Sequence, residues 1–353
     1  MNSDAGDGGL QWRFAVRHAL LGVAMLALAG GEAVAQGTWQ PPRTPDGKPD
    51  LQGIWTNASL TTLERPPQFK GPTIPADRAK QMETARAQMM RASNAPTNPN
   101  EGAPTDGNAN AGYNAFWIDP GTQYGVVNGE VRSSWIVDPP DGRIPYTPAA
   151  KKHFEDRLTR MRSSWDGPEI RPQGERCIVG FGSTAGPPMM NVLYNNHYQI
   201  VQTPTHVVIN AEMIHDARII PIGDKRSASG FDTWLGDSVG WWEGDTLVVQ
   251  TRNFHPDIRV RPNMGDSYYV GENPTVTERF TRVGPEAINY SFTVEEKDAF
   301  TTPWRGEMAL TASREQMYEY ACHEGNHALP GILAGARHDE SLGRVTGAVG
   351  DAE

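Results

Sequence analysis

Two histidines and a glutamate near the C-terminus, His323-Glu324-Gly325-Asn326-His327, have the H-E-x-x-H spacing of zinc peptidases. That chemistry needs a helix, so that two imidazoles one turn apart point at the same metal. Gly325 and Asn326 are poor helix formers, Pro330 follows closely, and Met317 to Ala321 alternates as a strand. The metzincin extension fails, because Pro330 stands where it needs glycine, and the other nearby ligands, His338 and Glu340, lie in a weakly patterned tail. A zinc hydrolase is therefore an alternative; the preferred expectation has no metal. His323 and Glu324 remain candidate acid/base groups, held at a strand end beside Cys322.

A second constellation lies in Val207 to Ile219. If the segment stays extended, Val207, Ile209, Ala211, Met213, His215, Ala217 and Ile219 share one face. His215 is then the lone polar group on an apolar surface, where an imidazole titrating near neutrality can serve as general base or as a satisfied core histidine. Asp216 and Arg218 fall on the opposite face and can form an ion pair there. A bend at His215-Asp216 would let that carboxylate orient the ring. Arg218 is counted among the substrate-binding candidates.

Tyr194-Asn195-Asn196-His197-Tyr198 gathers amide, imidazole and phenol groups. Asn196, His197 and Tyr198 can line the polar end of a pocket, although Asn-Asn is also ordinary turn chemistry. Trp234, Trp241 and Trp242 surround Gly236-Asp237 and can grip a flat ligand or plug a barrel end. Glu175 and Arg176 read as an anion clamp or as a surface ion pair. No G-x-S-x-G, G-x-G-x-x-G, P-loop or C-x-x-C is present, and the reading calls for no cofactor.

From Met189 onward, short β-type runs separated by turn signals must position these groups. Strands are expected at Tyr198–Gln202, His206–Met213, Ala217–Pro221, Val239–Trp242, Thr246–Arg252, Thr275–Val283, Ala287–Val294, Trp304–Thr311 and Gln316–Cys322. Ile288, Tyr290, Phe292 and Val294 share one face, as do Trp304, Met308 and Leu310, so the inner surface is bulky and aromatic. The fold class expected is mainly β, an antiparallel meander closing into a lipocalin- or calycin-like barrel over residues 189–327. Gly53-Ile54-Trp55 matches the G-x-W that opens many such barrels, and so does Gly37-Thr38-Trp39. Residues 36–188 read as an irregular arm with short helices at Ala76–Met90 and Pro148–Ser164, the latter capped by Thr147, and a flexible loop at 92–112. Residues 328–353 read as a tail.

Arg13 and Arg17, the uncharged run Ala19 to Gly30 and Ala33-Val34-Ala35 make residues 1–35 a secretory signal, with the mature chain starting near Gln36. The run is shorter than the roughly 20 residues a membrane span needs, so no stable membrane anchor is expected. Removing three acidic and two basic residues changes the formal charge from -10 to -9, a balance that disfavours nucleic acid. In a periplasmic or secreted protein, Cys177 and Cys322, the whole cysteine complement, are most simply one disulfide.

Four phrases, Ser134 to Pro145 (SWIVDPPDGRIP), Glu212 to Pro221 (EMIHDARIIP), Trp242 to Val249 (WEGDTLVV) and Tyr318 to Asn326 (YEYACHEGN), resemble a large family of secreted bacterial proteins. The resemblance covers most of the mature chain and implies no catalytic residue. Such proteins often accompany catabolism of aromatic compounds, which implies a small aromatic or hydrophobic partner. The residues together support a cofactor-independent lyase or isomerase with His215 as base, His323 or Glu324 as acid, and Tyr198 or Asn196 steadying oxyanion charge. C–C cleavage with release of formaldehyde from a lignin-type compound is one example. A non-catalytic binding protein for the same ligand class is the other alternative.

Overall fold

Strict alternation along three long strands sets the architecture. In Ala287–Glu295, Ile288, Tyr290, Phe292 and Val294 are buried while the residues between them are half-exposed, as the pleat requires. The computed structural model describes residues 39–93, 100, 118–223, 231–262 and 267–344. The expected secretory signal lies outside these, as do 94–99 and 101–112 of the expected flexible loop.

The described residues form fourteen strands and three α-helices, besides short 3-10 turns. In chain order they are β1 (Gly53–Thr56), α1 (Ala76–Ser93), β2 (Val126–Val127), β3 (Glu130–Val131), β4 (Ile136–Asp138), α2 (Pro148–Ser163), β5 (His197–Gln202), β6 (His206–Ala211), β7 (Ala217–Pro221), β8 (Asp237–Glu243), β9 (Thr246–Arg252), β10 (Val260–Arg261), β11 (Tyr268–Tyr269), β12 (Thr275–Gly284), β13 (Ala287–Glu295), β14 (Trp304–Ala312) and α3 (Ala328–Ser341). Helix α2 begins as its sequence requires, with Pro148 in the first turn and the Thr147 hydroxyl accepting the Ala150 N–H at 3.2 Å. No helix among the described residues is long and apolar enough to cross a membrane.

The main sheet is antiparallel, mainly in chain order, and nearly closes into a barrel, β7-β6-β5-β1-β14-β13-β12-β9-β8, with β4 pairing β14 beside this path. The Gly223 N–H, bonded to the Gly240 carbonyl at 3.0 Å, brings the two end strands together. Strand β1, the Gly53-Ile54-Trp55 segment, enters between β5 and β14. Gly306 faces the Phe292 ring, which would lie 2.2 Å from any Cβ there, so that layer tolerates no side chain.

Two expectations need correction. Gln316–Cys322 is not a strand: β14 ends at Ala312 and the chain continues irregularly. Val207 to Ile219 is not one extended face either. It folds back as a hairpin, with Asn210 opposite Ala217 and Ile209 opposite Arg218. Ile214 and His215 take left-handed φ values of 58° and 45° in the connecting turn. Val207, Ile209 and Ala211 point inward before the turn, and Arg218 and Ile220 after it. The inward face has changed phase, so Arg218 enters the barrel while His215 sits exposed at the turn.

The boundary drawn at residue 188 divides what one core joins. Residues 182–190 are buried and lie against inward-facing barrel side chains. Tyr198 Oη donates to the Thr184 carbonyl at 2.8 Å, and Tyr290 Oη accepts the Met189 N–H at 2.9 Å. Val179, Ala185, Met189 and Met190 pack in one cluster with Phe280, Tyr290 and Trp304. Gly180 is required where this segment turns, because a Cβ would meet Thr184 Oγ1 at 1.9 Å.

One charge pair is buried inside the barrel. The Arg218 guanidinium clasps the Glu278 carboxylate through both oxygens, and Tyr290 Oη adds a bond to Glu278 at 2.8 Å. Burial alone would lower the pKa of Arg218, but Glu278 more than offsets it and holds the guanidinium charged. Removing one partner leaves the other buried and unpaired, so Arg218→Met should cost about 3–5 kcal/mol, read as a lower midpoint in chemical denaturation. A loss within about 0.5 kcal/mol, the range of ordinary surface changes, would contradict this account of the core.

Candidate functional site

With inward-facing barrel positions packed against 182–190, open space lies at one end of the barrel. A cleft of about 830 Å³ is bounded by the starts of the β5 and β6–β7 connections, by Gly174 to Phe181, and by the C-terminal stretch from Glu315 to Ile332. At its base the first residue of β5, His197, faces the residue that follows β6, Glu212. The two backbones are joined by the Glu212 N–H to the His197 carbonyl at 2.9 Å, which brings their side chains together. His197 Nδ1 lies 3.1 Å from Glu212 Oε2, and the other carboxylate oxygen accepts the Tyr318 N–H at 2.9 Å.

This arrangement makes an imidazole–carboxylate pair. The hydrogen bond to Glu212 raises the His197 pKa against the lowering effect of burial. Burial would raise that of Glu212, but the bonds from His197 and the Tyr318 N–H outweigh it and hold the carboxyl below its ordinary range. With Nδ1 committed to Glu212, Nε2 is the nitrogen left for a ligand; Glu315 approaches it to 3.7 Å.

The walls are aromatic. Tyr194 and Tyr320 lie nearly parallel, with centroids 6.4 Å apart and planes at 11°, beside Phe181 and Tyr318. Burial and a bond with Tyr194 push the Tyr320 phenol well above its ordinary value, so it stays protonated as a donor. The Cys177–Cys322 disulfide is formed, with Cα atoms 5.7 Å apart, and both cysteines line the cleft. Asn326 Nδ2 bonds the Glu175 carbonyl at 2.8 Å, fastening the same wall once more.

Of the expected site residues, His197 is brought to this cleft. His323 and Glu324 lie exposed in a turn over 322–325 and are not among the residues that line it. His327 is the N-cap of α3, so H-E-G-N-H never forms the helical turn that would align its imidazoles. Among the described residues, no group of three or more His, Cys, Asp or Glu could hold a metal. His215 is solvent-exposed, and Asp216 turns to the Gly180 N–H at 2.9 Å rather than orienting an inward imidazole.

The remaining candidates are occupied by structure. Tyr198 is fully buried, bonded to Thr184 and Asn57. Asn196 uses its amide on the Asp119 and Val192 carbonyls and its oxygen on the Val192 N–H. Trp234 stacks on His255 at 4.0 Å, and Arg218 is held by Glu278. Glu175 pairs with Arg171 rather than with Arg176, at 2.9 and 3.0 Å. Glu212 and Tyr320 were missed. Their signal was slight: Glu212 is one of several polar residues in Val207 to Ile219, and Tyr320 alternates within a segment that reads as a strand.

Comparison of the chain with family models, with curated proteins and with solved structures finds no match.

The disulfide spans a sequence separation of 145 residues, so replacing both cysteines, Cys177→Ala with Cys322→Ala, should lower stability by about 2–5 kcal/mol. Limited proteolysis should then cut the 313–344 stretch first. Asp216 sets a pH dependence of its own. Burial pushes its carboxyl from 3.8 up to about 6, although the Gly180 N–H and His215 lower it. Between those values the folded chain keeps a proton the unfolded chain has released, so stability falls as pH rises through this window, by about 3 kcal/mol in all. Asp216→Asn should remove that decline, and an unchanged stability–pH profile would refute it.

Proposed function

We propose that the chain is an acid/base enzyme, a lyase or isomerase, acting on a small aromatic or apolar molecule bound in the end cleft, with His197 as the proton-transferring group. The observation that carries this reading is the 3.1 Å contact between His197 Nδ1 and a nearly buried Glu212 carboxylate, placed at the base of an aromatic-walled opening. Glu212 fixes the ring orientation and stabilises the imidazolium formed when Nε2 takes a proton. The Tyr320 phenol, kept protonated, can donate to an oxygen on which negative charge develops. The disulfide supports an oxidising compartment, periplasmic or extracellular.

This reading keeps the reaction class drawn from the sequence and moves its centre from His215 to His197. Neither His215 nor Glu324 lines the cleft, so their loss should leave turnover intact.

The test begins by screening lignin-type and other aromatic compounds for an absorbance change. On any compound turned over, His197→Ala should reduce kcat by about 10²–10⁴-fold, the usual span for losing a general base. Because Glu212 raises the His197 pKa, the limb of the rate profile due to free base should rise above the pH expected of an ordinary imidazole, about 6.5. Glu212→Gln should return that limb toward 6.5. Full activity in His197→Ala would end this assignment.

A further inference from the structure

The cleft has a sign of charge as well as a shape. Among the described residues that line it are five carboxylates, from Asp119, Glu175, Glu212, Glu315 and Glu319, and no lysine or arginine. Two of these are already satisfied: Glu175 by the Arg171 fork, and Glu212 by His197. Asp119, Glu315 and Glu319 remain on the rim, where Glu315 lies 3.7 Å from Nε2 of His197. Walls of low dielectric concentrate such a field inside a cleft.

The rings add to the same preference. A phenol presents a negative face that attracts a cation within about 6 Å of its centroid. Tyr194 and Tyr320 lie 6.4 Å apart, too close for a ligand between them, so a ligand meets an outer face of the pair. A carboxylate-bearing molecule would meet uncompensated acids and ring faces together, with no lysine or arginine among the described lining residues and with His197 already held by Glu212.

We propose that the ligand of this cleft is an organic cation: a primary or quaternary ammonium, or a guanidinium, joined to a small apolar or aromatic body. The apolar body lies on the tyrosine wall and the cationic head is directed to the rim acids. The proposal rests on reading the cleft as the ligand site, and it narrows the substrate class that His197 would serve.

Isothermal titration with four probes of one shape tests it: benzyltrimethylammonium, benzylamine, benzyl alcohol and benzoate. The two cations should bind at least roughly tenfold more tightly than benzoate, and the difference should shrink as salt is added. Neutralising the rim with Asp119→Asn, Glu315→Gln and Glu319→Gln together should abolish the preference. Benzyl alcohol binding in that variant should be unchanged, which shows that the cleft persists. If benzoate or benzyl alcohol binds as tightly as the cations, the charge preference is wrong and the cleft remains a ligand site. If no probe binds, or if Tyr320→Ala changes no affinity, the ligand site itself is wrong and this inference falls with it.

Discussion

The inner face of the barrel has to be covered, and the way it is covered governs everything else. Bulky residues on β12, β13 and β14 narrow the interior, and the buried segment 182–190 packs against them, tied by its backbone to Tyr198 and Tyr290. These inward side chains are buried against one another and against that segment. The ion pair of Arg218 and Glu278 belongs to the same packing. Space for chemistry is thereby displaced to the barrel end, where the C-terminal stretch supplies one side of an open cleft.

Glu212 links that cleft to the framework. One oxygen meets His197 and the other meets the Tyr318 N–H, so a single carboxylate orients the imidazole and anchors the opposite wall. It can do both because it follows directly on β6, where the hairpin turn begins and its backbone is already bonded to His197. The disulfide holds the wall from its far side, joining Cys322 to the segment that continues into the barrel core. Position of the imidazole, closure of the wall and packing of the barrel thus meet within a few residues.

Alternation read along the chain located the strands well wherever the period was unbroken. Ala217–Pro221 and Thr246–Arg252 have the bounds their residues imply, and the inward set Ile288, Tyr290, Phe292, Val294 is buried as its pattern requires. The pattern failed where the chain turns without turn residues. Met213, Ile214 and His215 contain no glycine, proline or asparagine, yet Ile214 and His215 adopt left-handed backbone. Burial of Met213 and Ile214 against Val192 stabilises that turn, a tertiary gain that local propensity does not record. Phe292 over Gly306 is likewise a contact across two strands that neither segment's own pattern records. The expected strand Gln316–Cys322 failed for a related reason: Met317 to Ala321 alternates, but among the described residues no strand pairs with it.

Composition and pairing rules sufficed for the β class, the nearly closed barrel, helix α2 with its Thr147 cap, and a Cys177–Cys322 bond, because each depends on local period or on a choice with one partner available. Which histidine faces a cleft depends on where the chain reverses and on what fills the barrel, and those follow from packing among segments far apart in sequence. His215 lost its inward place to a hairpin; His197 gained a carboxylate partner through the pairing of β5 with β6. Tertiary structure alone decided the site, since a pair of side chains separated by fifteen residues meets only when the sheet between them has formed.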